Sequence, residues 1–422
     1  MKKLTLLLAV FLVATVSCAA TPSVSVSQPI RMAHITDIHF LSYVLVNDGD
    51  AYRNFVQSTG RNTADLHEVL DHVLADLLNE EIDILLISGD IVNHGERQSH
   101  LDFIELLRPL QTQGTRIFVV PGNHDINIPT ARAFTGSTPT PVQTISAEEF
   151  TQLYADFGFT DALQRDTYSL SYLTKINENV WLLVFDTNRH AEHTTSSISS
   201  GRILPQTLDW ALDILQTAQK QDVIVLGMMH HGLVEHIPLQ SVFFADYLID
   251  NWAKTADILA DAGLRVMFTG HFHTNSVSLR TSAAGNTVYD VQTASLAQYP
   301  FAYRIMELND NKLRIDTRFI TSIPRNPNLE AEYRQKLQEI TRQTAQNRIR
   351  TLGIPMPEMI QNVLINIIVQ MNMQSVRGDG IVDDAMIQSI RRLGALLGSE
   401  VDMEGIMLDL SPANNHLTIS LR

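Results

Sequence analysis

The stretch Arg116-Ile117-Phe118-Val119-Val120-Pro121-Gly122-Asn123-His124-Asp125 is a short apolar run that stops on a polar cluster. The apolar residues after Arg116 predict a buried strand, and Pro121-Gly122 predicts the turn that ends it. Asn123, His124 and Asp125 are then left at the strand tip. Other runs end the same way: Ile30 to Thr36 on Asp37-Ile38-His39, Ile82 to Ser88 on Gly89-Asp90, Val223 to Met229 on His230-His231, and Arg265 to Thr269 on Gly270-His271-Phe272-His273. Between them lie segments with apolar residues at helical spacing: Thr63 to Asn79, Arg97 to Gln113 closed by Gly114, Pro205 to Gln219 and Val242 to Ala262. This alternation predicts an α/β fold. Any one polar cluster is an ordinary strand-end turn. Together they gather carboxylate, amide and imidazole groups at one set of strand ends.

Composition narrows the chemistry. The 422 residues allow one large core and an appendage. A content of 45% apolar and 18% charged residues is that of a globular chain. The net charge of -15 opposes nonspecific binding of a nucleic-acid backbone, so no nucleic-acid polymer is expected as partner. An anionic substrate would need a local cationic site, which bound divalent ions supply.

The polar clusters suit such ions. Asp37 and His39 lie two apart at a fraying strand end and can reach one cation. The Asp90 carboxylate can bridge two. Asn123 offers an amide oxygen, and His230, His271 and His273 offer imidazole nitrogens. Mixed nitrogen and oxygen ligation favours Mn, Fe, Zn, Co or Ni over Ca. Two such ions ~3.5–4 Å apart lower the pKa of a shared water and clamp both oxygens of an in-line displacement. Phosphoryl transfer depends on this positioning and charge neutralisation.

The set Asp-x-His, Gly-Asp, Gly-Asn-His-Asp, a histidine after a strand, and Gly-His-x-His resembles the calcineurin-like metallophosphoesterases over roughly residues 30 to 320. Asp37-Ile38-His39-Phe40-Leu41-Ser42, Ser88-Gly89-Asp90 and Val119 to Asn127 are similar to the class III cyclic-nucleotide phosphodiesterases, in particular an exported lipoprotein type with a helical C-terminal domain. The resemblance implies a four-layer α/β/β/α sandwich. It implies two divalent transition-metal ions, Mn, Fe or Zn foremost. One would be held by Asp37, His39, Asp90 and His273, the other by Asp90, Asn123, His230 and His271. It further implies a phosphodiesterase acting on a small phosphoester, with 3',5'-cyclic nucleotides among the candidates. A hydroxide shared by the ions would attack in line, and His124, not a ligand, would protonate the leaving oxygen.

This chain departs from the family pattern at two points. Asn93 stands where the serine/threonine phosphatase branch has an aspartate that supports the catalytic histidine. His230-His231-Gly232-Leu233 stands for the usual His-His-Pro-Pro, which leaves His230 and His231 both open as ligand. A phosphomonoesterase, nucleotidase or protein phosphatase of the same fold would use the same ligands. A non-catalytic metal-binding surface lipoprotein is the rival from another class, though it would not need the full set.

Other polar residues have plainer readings. His34, inside a strand, is expected to be a satisfied sheet residue. His67 and His72, off the apolar stripe of their helix, are expected to face solvent. Asp125 is expected to orient its loop and Asp186 to bond within the next one. His94 and His236 could support the site or lie on the surface. Tyr43, Tyr52, Arg53, Arg189 and His190 fall in the long loops 40–62 and 188–204, beside the strand ends.

Residues 1–20 read as a signal segment: Lys2 and Lys3, then an apolar run to Val16, then small residues. The sole cysteine, Cys18, follows Thr15-Val16-Ser17, which fits a lipobox at two positions, with Thr15 in place of the usual Leu. This predicts a lipid anchor in a membrane, with the protein facing outward; cleavage after Ala19 or Ala20 would instead leave it secreted or periplasmic. Residues 21–324 read as the catalytic domain and 325–422 as a helical C-terminal domain, with helices at 329–350, 356–374 and 383–397. Runs at 287–294, 303–308 and 313–320 are expected to complete a second sheet.

Overall fold

The computed structural model describes residues 29–237, 240–351, 356–378, 388, 391–392 and 413–422. The expected signal segment, with Cys18, lies outside the described residues, and the expected helix at 383–397 lies almost entirely outside them. Among the described residues no helix is long and apolar enough to cross a membrane.

Two mixed sheets form the centre. In the first, the spatial order is His416–Ser420, Lys312–Phe319, Ala302–Asn309, Ile30–Ile35, Ile84–Ile87, Arg116–Val119. Its last three strands run parallel, with Ile35 opposite Ile87 and Ile87 opposite Val119. The second runs Ser276–Thr281, Thr287–Gln292, Val266–Thr269, Ile224–Met229, Val180–Phe185, Tyr172–Asn177, Gln164–Arg165. Its middle strands are also parallel, with Met228 opposite Phe268. Parallel strands in matched register end at one level. The residues just beyond Ile35, Ile87, Val119, Met229 and Thr269 therefore converge on one edge of the sandwich.

Side chains that alternate along a strand serve two layers. Leu182, Val184, Leu226 and Met228 pack inward, in the same core as Ile35, Leu85, Ile87 and Val119 of the first sheet. Leu183, Phe185, Val225 and Met229 point outward, onto helices Pro205–Lys220 and Trp252–Asp261. On the other side, helices Thr63–Asn79 and Arg97–Gln113 bring Val73, Leu77, Phe103 and Leu107 onto the first sheet. The result is the four-layer α/β/β/α sandwich, with strands buried on both faces, as parallel sheets require. Burying a side chain of this size stabilises by roughly 1.5–3 kcal/mol, so a single Leu226→Ala change should cost about 2–5 kcal/mol.

Several elements differ from the reading of the sequence. The runs near 303–308 and 313–320 join the first sheet rather than the second: Ala302–Asn309 pairs antiparallel with Ile30–Ile35, Met306 opposite Met32. Alternation marks a strand but not its partner. The expected helix at 242–262 is broken into Gln240–Phe243, a short turn of helix at Ala245–Tyr247, and Trp252–Asp261. Between them Leu248 and Ile249 take bridge pairings to Gly232 and Gly201, and Asn251 turns to a positive φ of 54°. Tertiary pairing there outweighs helix propensity. The 40–62 insertion contains a helix, Asp50–Thr59. Strand Ser276–Thr281 was not anticipated.

Beyond Phe319, helices Leu329–Thr351 and Glu358–Arg377 pack on each other, and Tyr333 and Leu337 pack with Val69 of helix Thr63–Asn79. Tyr333 Oη donates to Asp65 Oδ2 at 3.1 Å. The chain then returns as strand His416–Ser420 on the edge of the first sheet, which helical periodicity does not foretell.

Candidate metal centre

The strand ends are tied together by backbone before any side chain acts. Asp37 N donates to Gly89 O at 3.0 Å and His39 N to Asp90 O at 2.9 Å; across the sandwich, Gly270 N donates to His230 O at 2.9 Å. A Cβ on Gly122 would sit 2.1 Å from Asp90 N, and one on Gly270 would sit 2.1 Å from Thr36 Oγ1. Only glycine lets the turns approach so closely.

Asp37, His39, Asp90, His271 and His273 all adopt positive φ, between 44° and 69°. Left-handed backbone in a residue with a Cβ costs roughly 1–2 kcal/mol each. Such strain concentrates where the surrounding structure holds side chains for function. Here it aims all five into one space.

The side chains form two groups. In the first, His273 Nε2 lies 3.1 Å from Asp37 Oδ1 and 3.4 Å from His39 Nε2. In the second, His230 Nε2 lies 3.2 Å from Asn123 Oδ1 and 3.4 Å from Asp90 Oδ1. Asp37, His39 and His273, and likewise Asp90, His230 and His271, have ligand atoms within 4.8 Å of one another. Asp90 spans both groups, since its Oδ2 is also 3.7 Å from His39 Nε2. His271 N donates to Asp37 Oδ2 at 2.9 Å, which links the two sheets at this point.

The donor set fits divalent cations. Two imidazole nitrogens facing each other beside a carboxylate, in a buried place, make a poor hydrogen-bond arrangement but a good ligand arrangement. Burial, the largest influence, holds His39 well below its ordinary pKa and His271 down at about 3, so both rings offer lone pairs. His271 Nε2 faces the Ser199 carbonyl oxygen at 2.8 Å, which leaves Nδ1 for a cation. Burial opposes charge on His230, but Asp90 outweighs it and lifts the ring to about 9; a divalent ion would compete for the lone pair that holds that proton. Burial likewise opposes ionisation of Asp37 and Asp90, yet His273 keeps the first ionised and His230 the second.

The structure brings Asp37, His39, Asp90, Asn123, His230, His271 and His273 together, and it brings His230 rather than His231 to Asp90. His231 is turned away, its Nδ1 at 2.7 Å from Thr187 Oγ1 and its Nε2 at 2.9 Å from Ser199 O. His124 stands at the rim of the groups, its N–H donating to Asp90 Oδ1 at 2.8 Å.

The supporting residues divide less evenly. Asp125 orients its loop, accepting from Gly122 N at 2.6 Å and Val92 N at 3.0 Å; burial raises its carboxyl to about 7. Asp186 accepts from Asn188 N at 3.0 Å and faces His190 Nε2 at 3.2 Å. His34 is satisfied between Ser88 Oγ and Thr293 Oγ1, both at 2.8 Å. His236 is buried 3.3 Å from Asp290 Oδ2. His72 is exposed, as expected. His67 is not: its ring packs 3.9 Å from that of Tyr43 and its Nε2 reaches Leu41 O at 2.8 Å. Arg53 pairs with Asp48 and Asp50 at the surface, and Arg189 with Glu192.

Two residues at the site carry no motif signal. Asn93 turns to Glu96 Oε1 at 3.1 Å, and His94 instead meets His124, Nδ1 to Nδ1 at 3.0 Å. Burial, then His124, hold His94 down at about 3, so it is a neutral ring; with its Nδ1–H donating to His124 Nδ1, the proton of neutral His124 is placed on Nε2, facing the groups. The other is Arg61, in the elbow between helices Asp50–Thr59 and Thr63–Asn79.

Comparison with known proteins gives the family. The chain is 22% identical over 314 residues to the 3',5'-cyclic adenosine monophosphate phosphodiesterase CpdA of Haemophilus influenzae, covering 72% of this chain and 94% of that one. Among solved structures, a dimetal phosphatase from Danio rerio is 12% identical with a TM-score of 0.48, covering 69% of this chain and 96% of that one. A purple acid phosphatase from yellow lupin, Lupinus luteus, is also 12% identical, with a TM-score of 0.40, covering 69% of this chain and 52% of that one. Both superpositions are loose and neither bears on substrate. The profile of the calcineurin-like phosphoesterases matches residues 30–275, more than half of the sequence. The chain belongs to the calcineurin-like phosphoesterase family and is a metal-dependent phosphoester hydrolase.

Proposed function

We propose that this protein is a phosphodiesterase with 3',5'-cyclic nucleotides as substrates, working through two divalent transition-metal ions. The observation that carries the reading is the Asp90 carboxylate, placed between two ligand groups with His124 fixed beside it. Asp37, His39, Asp90 and His273 would hold one ion; Asp90, Asn123, His230 and His271 would hold the other. When bound, the ions supply a low-pKa water as nucleophile and positive charge against the phosphoryl oxygens. His124 donates its Nε2 proton to the departing alkoxide. His94 fixes the tautomer that makes this possible. The backbone ties among the strand ends hold these groups in place before substrate arrives. Similarity to a cyclic-nucleotide phosphodiesterase supports the choice of a diester over a monoester.

The basic, apolar and small-residue pattern of residues 1–20 supports placing the protein outside the cytoplasm, anchored through Cys18. Its substrates would then be the phosphodiesters available at the envelope.

Protein reconstituted with Mn, Fe or Zn should hydrolyse bis-nitrophenyl phosphate and cyclic AMP faster than nitrophenyl phosphate. Faster turnover of the monoester would replace this reading with a phosphomonoesterase. Loss of both activities at full metal content would remove it.

A further inference from the structure

The elbow Gly60–Asn62 is held rigidly. Gly60 closes helix Asp50–Thr59 in the left-handed region, with φ 72°. Asn62 caps helix Thr63–Asn79, its Oδ1 accepting from Ala64 N at 3.0 Å. Arg61 N donates to Thr59 Oγ1 at 3.1 Å, and Thr63 N to Tyr52 Oη at 2.8 Å. Helix Leu329–Thr351 backs the turn, since a Cβ on Gly60 would meet Ile340 Cδ1 at 3.3 Å.

The Arg61 side chain leaves this elbow towards the metal groups. It is half-buried and lines a small cavity with Ile38, His39, Phe40 and Leu41. Its charge is felt by His39, His94 and His124, and it feels Asp90, Asp37 and Glu96 in return. Burial is the main influence on Arg61 and weighs against its charge. Yet among the described residues no carboxylate or carbonyl accepts a hydrogen bond from its guanidinium. Asp37 and Asp90 are engaged with the histidines and with backbone N–H groups. Glu96 accepts from Asn93 and from His94 N, and burial lifts its carboxyl to about 7, so it is a weak counter-ion.

A half-buried guanidinium without a protein acceptor loses part of its hydration with nothing in return unless an anion comes to it. With two divalent ions in place, two carboxylates cannot neutralise the centre, and the need for an anion grows. A planar fork of N–H donors matches two phosphoryl oxygens. We propose that Arg61 is a substrate-binding residue that takes the non-bridging oxygens of the phosphoryl group on the His39 and His124 side of the centre. The proposal rests on reading the strand ends as a dinuclear metal centre.

The test uses inorganic phosphate as probe, titrated calorimetrically into full-length, metal-loaded protein, with metal content measured on the same samples. Arg61→Ala should weaken phosphate binding about tenfold or more without loss of metal. Arg61→Lys, which keeps the charge but not the fork, should lie between that variant and the wild type and guards against a folding failure of the first. With bis-nitrophenyl phosphate the effect should fall mainly on KM. If both variants bind phosphate as tightly as the wild type, the proposal is overturned; lowered thermal stability alone would mark Arg61 as a purely structural counter-ion and also overturn it. If the wild type binds phosphate but turns over no ester, the functional reading fails while the Arg61 assignment is still decided by the titration.

Discussion

Asp90 shows how much one side chain is asked to do. It reaches both ligand groups, receives the His124 N–H, and stays ionised against burial because His230 and His124 face it. Its neighbours were legible in the sequence because each polar cluster interrupts an apolar run, and strand ends are where such residues can meet. His94 and Arg61 were not legible in that way. His94 sits in an ordinary-looking turn, and only the fold shows it against His124, where Asn93 had seemed the relevant departure. At this scale the account predicts that His124→Ala retains metal but slows turnover about 100-fold or more, most for alkyl esters and least for nitrophenyl esters. His94→Ala should reproduce that leaving-group trend in milder form. Steady-state rates across a series of leaving groups would decide; an equal fall for all esters would refute the acid role.

Helix Arg97–Gln113 was read from its periodicity and Gly114 stop, and both hold. Its preceding residue, Glu96, has a consequence that periodicity hides. Burial raises this carboxyl from 4.5 to about 7. Between those values the folded chain keeps a proton that the unfolded chain releases, so stability is fully present below about 4.5 and declines as pH rises to about 7. The loss is on the order of 3 kcal/mol. Urea unfolding of Glu96→Gln should show a flatter profile across this window than the wild type, and parallel profiles would contradict the burial argument. Elements whose state depends on distant partners were the ones misread. Ala302–Asn309 alternates as any strand would, and only pairing with Ile30–Ile35 assigns it to the first sheet. The break in 242–262 comes from bridges to Gly232 and Gly201, both outside the expected helix.

At the scale of the molecule, two sheets meet at an edge that neither could build alone. Asp37, His39, Asp90 and Asn123 come from the first, and His230, His271 and His273 from the second. Fully buried Arg304 helps hold the sheets in register, donating to Gln292 O at 2.8 Å, Thr317 Oγ1 at 2.9 Å and Asn414 O at 2.7 Å. One of the helices after Phe319 lies beside this edge. Helix Leu329–Thr351 backs the Arg61 elbow at Ile340 and reaches Phe244, whose ring lies 4.7 Å beneath Arg348. Phe244 stands with Tyr247 and Phe272 beside His271. The reaction was therefore readable from the strand ends, while the walls that select a substrate depend on packing that no local pattern encodes. The most direct test of the central claim is metal stoichiometry by mass spectrometry on reconstituted protein. Two equivalents are predicted for the wild type and about one for Asn123→Ala; fewer than one in the wild type, or two in a fully active Asn123→Ala variant, would contradict the dinuclear assignment.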